Sequence, residues 1–137
     1  MKNSFKILGF ILFLLPTSLT AEIVTINNSQ ISALMKENVP LIDVRREEEW
    51  KSTGIIKNSN LITFFDKKGK YGFVKFLSEL NKIENIEKGL ILFCRTGRRT
   101  TIIAKALEKT GKFNNIYNTK GIKAWNASKY PLTKYKN

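Results

Sequence analysis

Leu90-Ile91-Leu92-Phe93-Cys94-Arg95-Thr96-Gly97-Arg98-Arg99-Thr100 is the stretch around which the rest of the chain is organised. Four large apolar residues in a row predict a buried strand, since a strand covered on both faces needs no polar alternation. That strand delivers Cys94 to its carboxyl end. A short loop follows. A helix is then expected from Thr100 to Lys109, with Ile103, Ala104 and Leu107 on its inner face and Gly111 as its stop. The start of a helix leaves backbone N–H groups unpaired, and its macrodipole adds positive potential there. Arg95, Arg98 and Arg99 bring guanidinium charge to the same end, and Gly97 lets the backbone turn tightly and approach an anion. Each feature favours a thiolate at Cys94 over a thiol. The plainer alternative is a small buried cysteine beside solvated arginines. Three arginines and a glycine packed behind a strand-end cysteine weigh against it.

Outward from this stretch, apolar runs alternate with helical patterns. Ile23–Ile26, Leu41–Val44, Leu61–Phe64 and Ile116–Tyr117 are expected as the other strands. Ser29–Asn38 is expected as a helix with Ser29 as its N-cap, and Glu47–Lys51 as an acidic helical turn. Phe73–Ile83 carries Phe73, Phe76, Leu77, Leu80 and Ile83 at helical spacing. A short helix around Gly121–Ala127 and a closing Pro131 complete the pattern. Strands alternating with helices imply an α/β fold: a small central, mostly parallel five-stranded sheet flanked by helices on both faces. In such sheets ligands sit at the carboxyl ends of the strands, where Cys94 lies.

The chain has 137 residues, the size of one domain, and 42% of them are hydrophobic, as in a folded protein. Residues 1–21 differ from the rest. Lys2 and Lys6 precede an apolar run from Ile7 to Leu15, followed by Pro16, Ser18 and Ala21. This is the pattern of a secretory signal peptide, with cleavage expected after Ala21. The apolar run falls well short of the roughly 20 residues a membrane-spanning helix needs. A domain over 22–137, with no stable membrane span after cleavage and a periplasmic or secreted location, is therefore expected.

The formal charge of +13 favours anionic partners. Export argues against nucleic acid among them. Most lysines are scattered, and only Lys67, Lys68 and Lys70 cluster, in a basic turn spanning residues 66–71 that either borders the site or is simply solvated. There is one cysteine and no histidine. No internal disulfide, no Ser-His-Asp triad, no Cys-His dyad and no His-ligated zinc site is possible. Cys94 has to be activated by its surroundings.

The stretch Cys94-Arg95-Thr96-Gly97-Arg98-Arg99-Thr100 closely resembles the active-site loop of rhodanese-like proteins. Further pieces follow in the family's order: Leu41-Ile42-Asp43-Val44-Arg45, Glu49-Trp50 with Gly54-Ile55-Ile56, Asn115-Ile116-Tyr117, then Gly121-Ile122, Trp125 and Pro131. The resemblance spans roughly residues 23–132. Ile55 stands where the family usually has histidine, and Lys120 where the first of two glycines is common. The resemblance implies a sulfurtransferase without metal or cofactor. Cys94 is implied as the nucleophile and persulfide carrier, and Arg95, Thr96, Gly97, Arg98, Arg99 and Thr100 as the substrate-binding loop. Asp43, Arg45 and Glu49 are implied as scaffold beside the site, with Arg45 expected to pair with a carboxylate such as Glu49. The donor would be a small sulfur anion such as thiosulfate or polysulfide, and the acceptor cyanide or a thiol, a protein's thiol included.

Two rivals stand beside this reading. A sulfur carrier or binding module with little turnover of its own would use the same persulfide. A phosphatase or arsenate reductase on the same fold places its phosphate-binding arginine six residues after the cysteine, in a loop roomier by one residue. Here Arg99 lies five after Cys94, and Thr100 takes the sixth position.

Overall fold

A computed structural model describes residues 21–136. The expected leader up to Thr20, with its apolar run, lies outside the described residues. Ala21, the last residue of that expected leader, is described and buried.

The strands are β1 (Glu22–Ile26), β2 (Leu41–Asp43), β3 (Asn60–Leu61), β4 (Leu90–Phe93) and β5 (Asn115–Thr119). The helices are α1 (Asn28–Lys36), α2 (Glu47–Thr53), α3 (Phe73–Leu80), α4 (Arg98–Glu108) and α5 (Gly121–Ala127), with a short 3-10 turn at Ile86–Lys88. The strands form one sheet in the order β1-β5-β4-β2-β3, with every pair parallel. The expected α/β architecture is therefore present, and β4 lies in the middle of it.

Strand side chains alternate between faces, which divides the core in two. On one face Ile42, Leu90, Leu92 and Ile116 pack with Phe76 and Leu80 of α3 and with Ile103, Ala104 and Leu107 of α4. On the other, Leu41, Ile91 and Phe93 pack with Ile31 of α1 and with Ile122 and Trp125 of α5. All four β4 side chains are fully buried, as the unbroken apolar run predicts.

Several boundaries differ from expectation. The N-cap of α1 is Asn27, not Ser29. The Asn27 side-chain oxygen accepts from the Gln30 N–H at 3.0 Å, and the Gln30 side chain accepts from the Asn27 N–H at 2.9 Å. This reciprocal box satisfies two helix-start donors at once, which a cap at Ser29 does not offer. The third strand covers only Asn60–Leu61, not Leu61–Phe64. Phe64 is instead buried against Phe76, and Tyr71 stacks on it. Helix α2 runs to Thr53, two residues beyond the expected turn. Helix α4 starts earlier than expected, at Arg98, so its first turn belongs to the cysteine loop.

Candidate active site

Cys94 follows the last residue of β4 and is 1% exposed. The loop behind it turns at Gly97, whose φ of 88° lies in the left-handed region that glycine favours. A side chain there is also excluded by space, since a Cβ would stand 2.5 Å from the Thr119 carbonyl oxygen. The turn brings the Gly97 N–H within 3.1 Å of Cys94 Sγ, as a donor to the sulfur. Thr100, fully buried in the first turn of α4, places Oγ1 3.7 Å from the same sulfur and donates to the Gly97 carbonyl at 3.0 Å. The sulfur thus rests on the mouth of α4, between a backbone donor and a hydroxyl.

Helix α5 fixes this cradle from behind. The Ile122 N–H donates to the Cys94 carbonyl at 2.9 Å and the Lys123 N–H to the Arg95 carbonyl at 3.1 Å. Loop carbonyls that would otherwise compete for the sulfur's surroundings are tied to α5. The approach requires glycine at 121: at a φ of 71°, a Cβ would stand 2.4 Å from the Cys94 oxygen and 2.6 Å from the Arg95 carbonyl carbon. The sequence shows Gly121 as part of a closing motif but not this clamp.

The loop arginines take two different roles. Arg99 donates through Nη1 and Nη2 to the two carboxylate oxygens of Glu49, at 2.8 and 2.7 Å. Arg95 and Arg98 are exposed, and neither forms an ion pair among the described residues. Arg99 is therefore a strut between α4 and α2, and its charge is already matched. Thr96 is exposed at the loop's tip.

The expected pairing of Arg45 with Glu49 does not occur. Arg45 is 1% exposed and pairs with the equally buried Asp43, its Nε and Nη2 spanning the carboxylate, with the shortest contact 2.7 Å. It further donates to Thr53 Oγ1 at 2.7 Å and to the Gly54 carbonyl at 2.9 Å, and its guanidinium lies 5.9 Å from the Phe93 ring centroid. Arg45 thus ties the β2 end to the C-terminal end of α2, the scaffold role expected of it with a different partner. Glu49 is turned elsewhere because its Oε2 accepts from the Arg46 N–H at 3.0 Å as a helix-start cap. Burial disfavours the Glu49 carboxylate. The Arg99 side chain and the Arg46 N–H outweigh that, and its pKa falls from 4.5 to about 2. The hydrogen bonds that Arg99 donates to Glu49 raise its own pKa against the effect of burial.

The basic turn is held by Asp66, whose carboxylate accepts from the Lys68 and Lys70 N–H groups, each at 2.8 Å. Its proximity to α2 registers at Glu48. The helix-start backbone and the Arg46 side chain hold that carboxyl below its ordinary value, with a smaller contribution from Lys67.

Beside Arg95, between α2 and α5, a cleft of about 420 Å³ opens, with Arg46, Glu49, Lys123 and Asn126 on its walls. Sequence reading missed Lys123 and Asn126, because nothing local marks them as neighbours of α2.

This geometry can be set beside known proteins. A protein of Rickettsia prowazekii, uncharacterized RP600, is 35% identical over 88 residues, covering 62% of this chain and 69% of its own. The polysulfide-sulfur transferase homodimer of Wolinella succinogenes superposes with a TM-score of 0.63 at 26% identity, over 88% of this chain and 85% of that one. A Rhodopseudomonas palustris protein of unknown function, RPA3614, described as a possible tyrosine phosphatase, shares the fold with a TM-score of 0.58 at 21% identity, over 81% of this chain and 85% of that one. The rhodanese-like domain model matches residues 27–128, a span that holds the cysteine loop, the Arg45 scaffold and the α5 clamp, and the chain belongs to that family.

Proposed function

We propose that this protein is a sulfurtransferase that moves sulfane sulfur from a donor such as thiosulfate or polysulfide to cyanide or a thiol through a persulfide on Cys94. The observation that carries this reading is the Gly97 N–H pointing at Cys94 Sγ from 3.1 Å at the mouth of α4. With thiosulfate, the Cys94 thiolate attacks the outer sulfur. A new S–S bond forms, the old one breaks, and sulfite leaves with the electron pair. Cyanide or a thiolate then attacks the outer sulfur of the persulfide, and the pair returns to Cys94. The helix start and the Gly97 N–H stabilise the anionic sulfur in both halves. Arg95 and Arg98 supply uncompensated charge at the mouth, and Arg99 acts by holding α4 against α2.

Phosphoryl chemistry is disfavoured by the same loop. Arg99, the arginine nearest the phosphate-binding position, is engaged at both its Nη atoms by Glu49, and Thr100 fills the position after it. The leader pattern supports action in the periplasm or outside the cell, with no nucleic acid among the partners.

The test is steady-state turnover with thiosulfate and cyanide. Parallel lines in the double-reciprocal plot, lost in Cys94→Ser, are expected of an enzyme. A single stoichiometric sulfur load without turnover would replace the enzyme with a carrier. Hydrolysis of a phosphate ester that depends on Cys94 would overturn the sulfur reading.

A further inference from the structure

The cleft between α2 and α5 carries more positive charge than the fold uses. Arg45 at its floor is matched by Asp43. Glu49, the one carboxylate on its walls, has both oxygens engaged by Arg99. Arg46 uses only Nε on Glu48, at 2.8 Å, and its Nη atoms have no hydrogen-bond partner among the described residues. Arg46 is thus half engaged by Glu48, whereas Arg95 and Lys123 have no carboxylate partner among the described residues. Three cations from three separate elements thus face one concavity: Arg46 ahead of α2, Arg95 in the cysteine loop and Lys123 on α5. The Asn126 amide stands beside them.

Thiosulfate does not account for this cleft. Its charge is compact and lies next to the reacting sulfur, whereas these cations are spread over a volume of about 420 Å³. That volume falls in the range of small-molecule sites, about 300–1,000 Å³. A ligand matching the spread carries separated negative groups, and Arg95, the residue after Cys94, stands on the cleft wall.

We propose that this cleft is the acceptor site and that it selects a small thiol bearing two or more carboxylates, held by Arg46, Arg95 and Lys123. The proposal rests on the sulfurtransferase reading. The acceptor thiolate attacks the outer sulfur of the Cys94 persulfide, the S–S bond to Cys94 breaks, and the electron pair stays on Cys94. The acceptor leaves as its own persulfide.

The test loads the full chain from thiosulfate and follows sulfur transfer to mercaptosuccinate, 2-mercaptoethanol and cysteamine, with rates corrected for the thiolate fraction of each. The wild-type protein is expected to prefer mercaptosuccinate in kcat/KM. Lys123→Glu combined with Arg46→Glu is expected to cut that preference about tenfold, and raised salt to erode it in the wild type. Lys112→Glu, beyond the far end of α4, makes one such charge change away from the cleft and should leave the preference unaltered. Because the readout is a ratio between acceptors, a partly unfolded variant does not distort it. A wild-type protein that loads with sulfur but does not discriminate among the thiols overturns the proposal and leaves the sulfurtransferase reading intact. So does a preference that survives the double charge reversal. Failure to load from any donor overturns both.

Discussion

Arg99 grips both carboxylate oxygens of Glu49, at 2.8 and 2.7 Å, and so joins the cysteine loop to a helix 50 residues earlier in the chain. The pair is four-fifths buried on each side. It also links site integrity to acidity. Folding holds the Glu49 pKa at about 2, below its ordinary 4.5. The stabilisation it gives is therefore complete above 4.5 and lost as the pH falls from 4.5 through about 2. Denaturant melts of wild type and Glu49→Gln are expected to differ most near neutrality and to converge over that acid range. A constant difference down to the acid limit would mean that the carboxylate charge is not what Arg99 holds.

Thr100 offers the sulfur a hydroxyl that is dispensable for folding. The Gly97 carbonyl to which it donates also accepts from the Thr101 N–H at 3.0 Å and the Thr101 hydroxyl at 2.8 Å. Thr100→Val should therefore cost no more than about 1 kcal/mol in stability. The single hydroxyl proton, given to the Gly97 carbonyl at rest, can turn to an anionic sulfur 3.7 Å away because the two Thr101 donors keep that carbonyl paired. Sulfur transfer in Thr100→Val should fall about tenfold as that donor is lost. Thr100→Ser should retain most of the activity. Equal rates in all three proteins would remove the hydroxyl from the mechanism.

Glycines at positive φ separate backbone strain from collision. Gly111 has a φ of 62° with nothing within 4 Å of a Cβ, so Gly111→Ala meets only the conformational cost, about 1 kcal/mol. Gly121→Ala adds a Cβ 2.4 Å from the Cys94 carbonyl oxygen, which forces α5 and the loop apart. It should destabilise by several kcal/mol and slow sulfur transfer more than Gly111→Ala does. Thermal melts and cyanide turnover on the two variants check both parts.

The Asp43–Arg45 pair lies at the end of the strand beside β4, out of water. Arg45→Met strands a buried carboxylate and should cost about 3–5 kcal/mol. Replacing both residues with apolar ones of similar size should recover much of that loss, because no lone charge then remains. A double variant as unstable as the single one would indicate that the Thr53 and Gly54 contacts, not the charge, carry Arg45's contribution.

The cysteine loop was legible because its chemistry is local. An apolar run, a cysteine, a glycine and a helix start adjoin in sequence, and each constrains the next. Ion-pair partners were not legible in the same way. Arg45 has acidic neighbours at both Asp43 and Glu49, and the helix-start bond that the Arg46 N–H donates to Glu49 decides between them by turning Glu49 toward Arg99. The cap of α1 was displaced for a related reason. Asn27 and Ser29 are both good cap residues, and Gln30 settles the choice only once its side chain is seen to reach back to the Asn27 N–H. The third strand was overestimated because Phe64 is apolar for its contacts with Phe76 and Tyr71, not for a place in the sheet. The cleft charges come from α2, the loop and α5, elements brought together only by the strand order.

Intact mass spectrometry after incubation with thiosulfate or polysulfide tests the central claim most directly. The wild-type chain should gain the mass of one sulfur atom and lose it on adding cyanide, while Cys94→Ser should gain nothing. A folded wild-type chain that gains no sulfur from either donor, or a Cys94→Ser chain that gains it equally, would contradict the account.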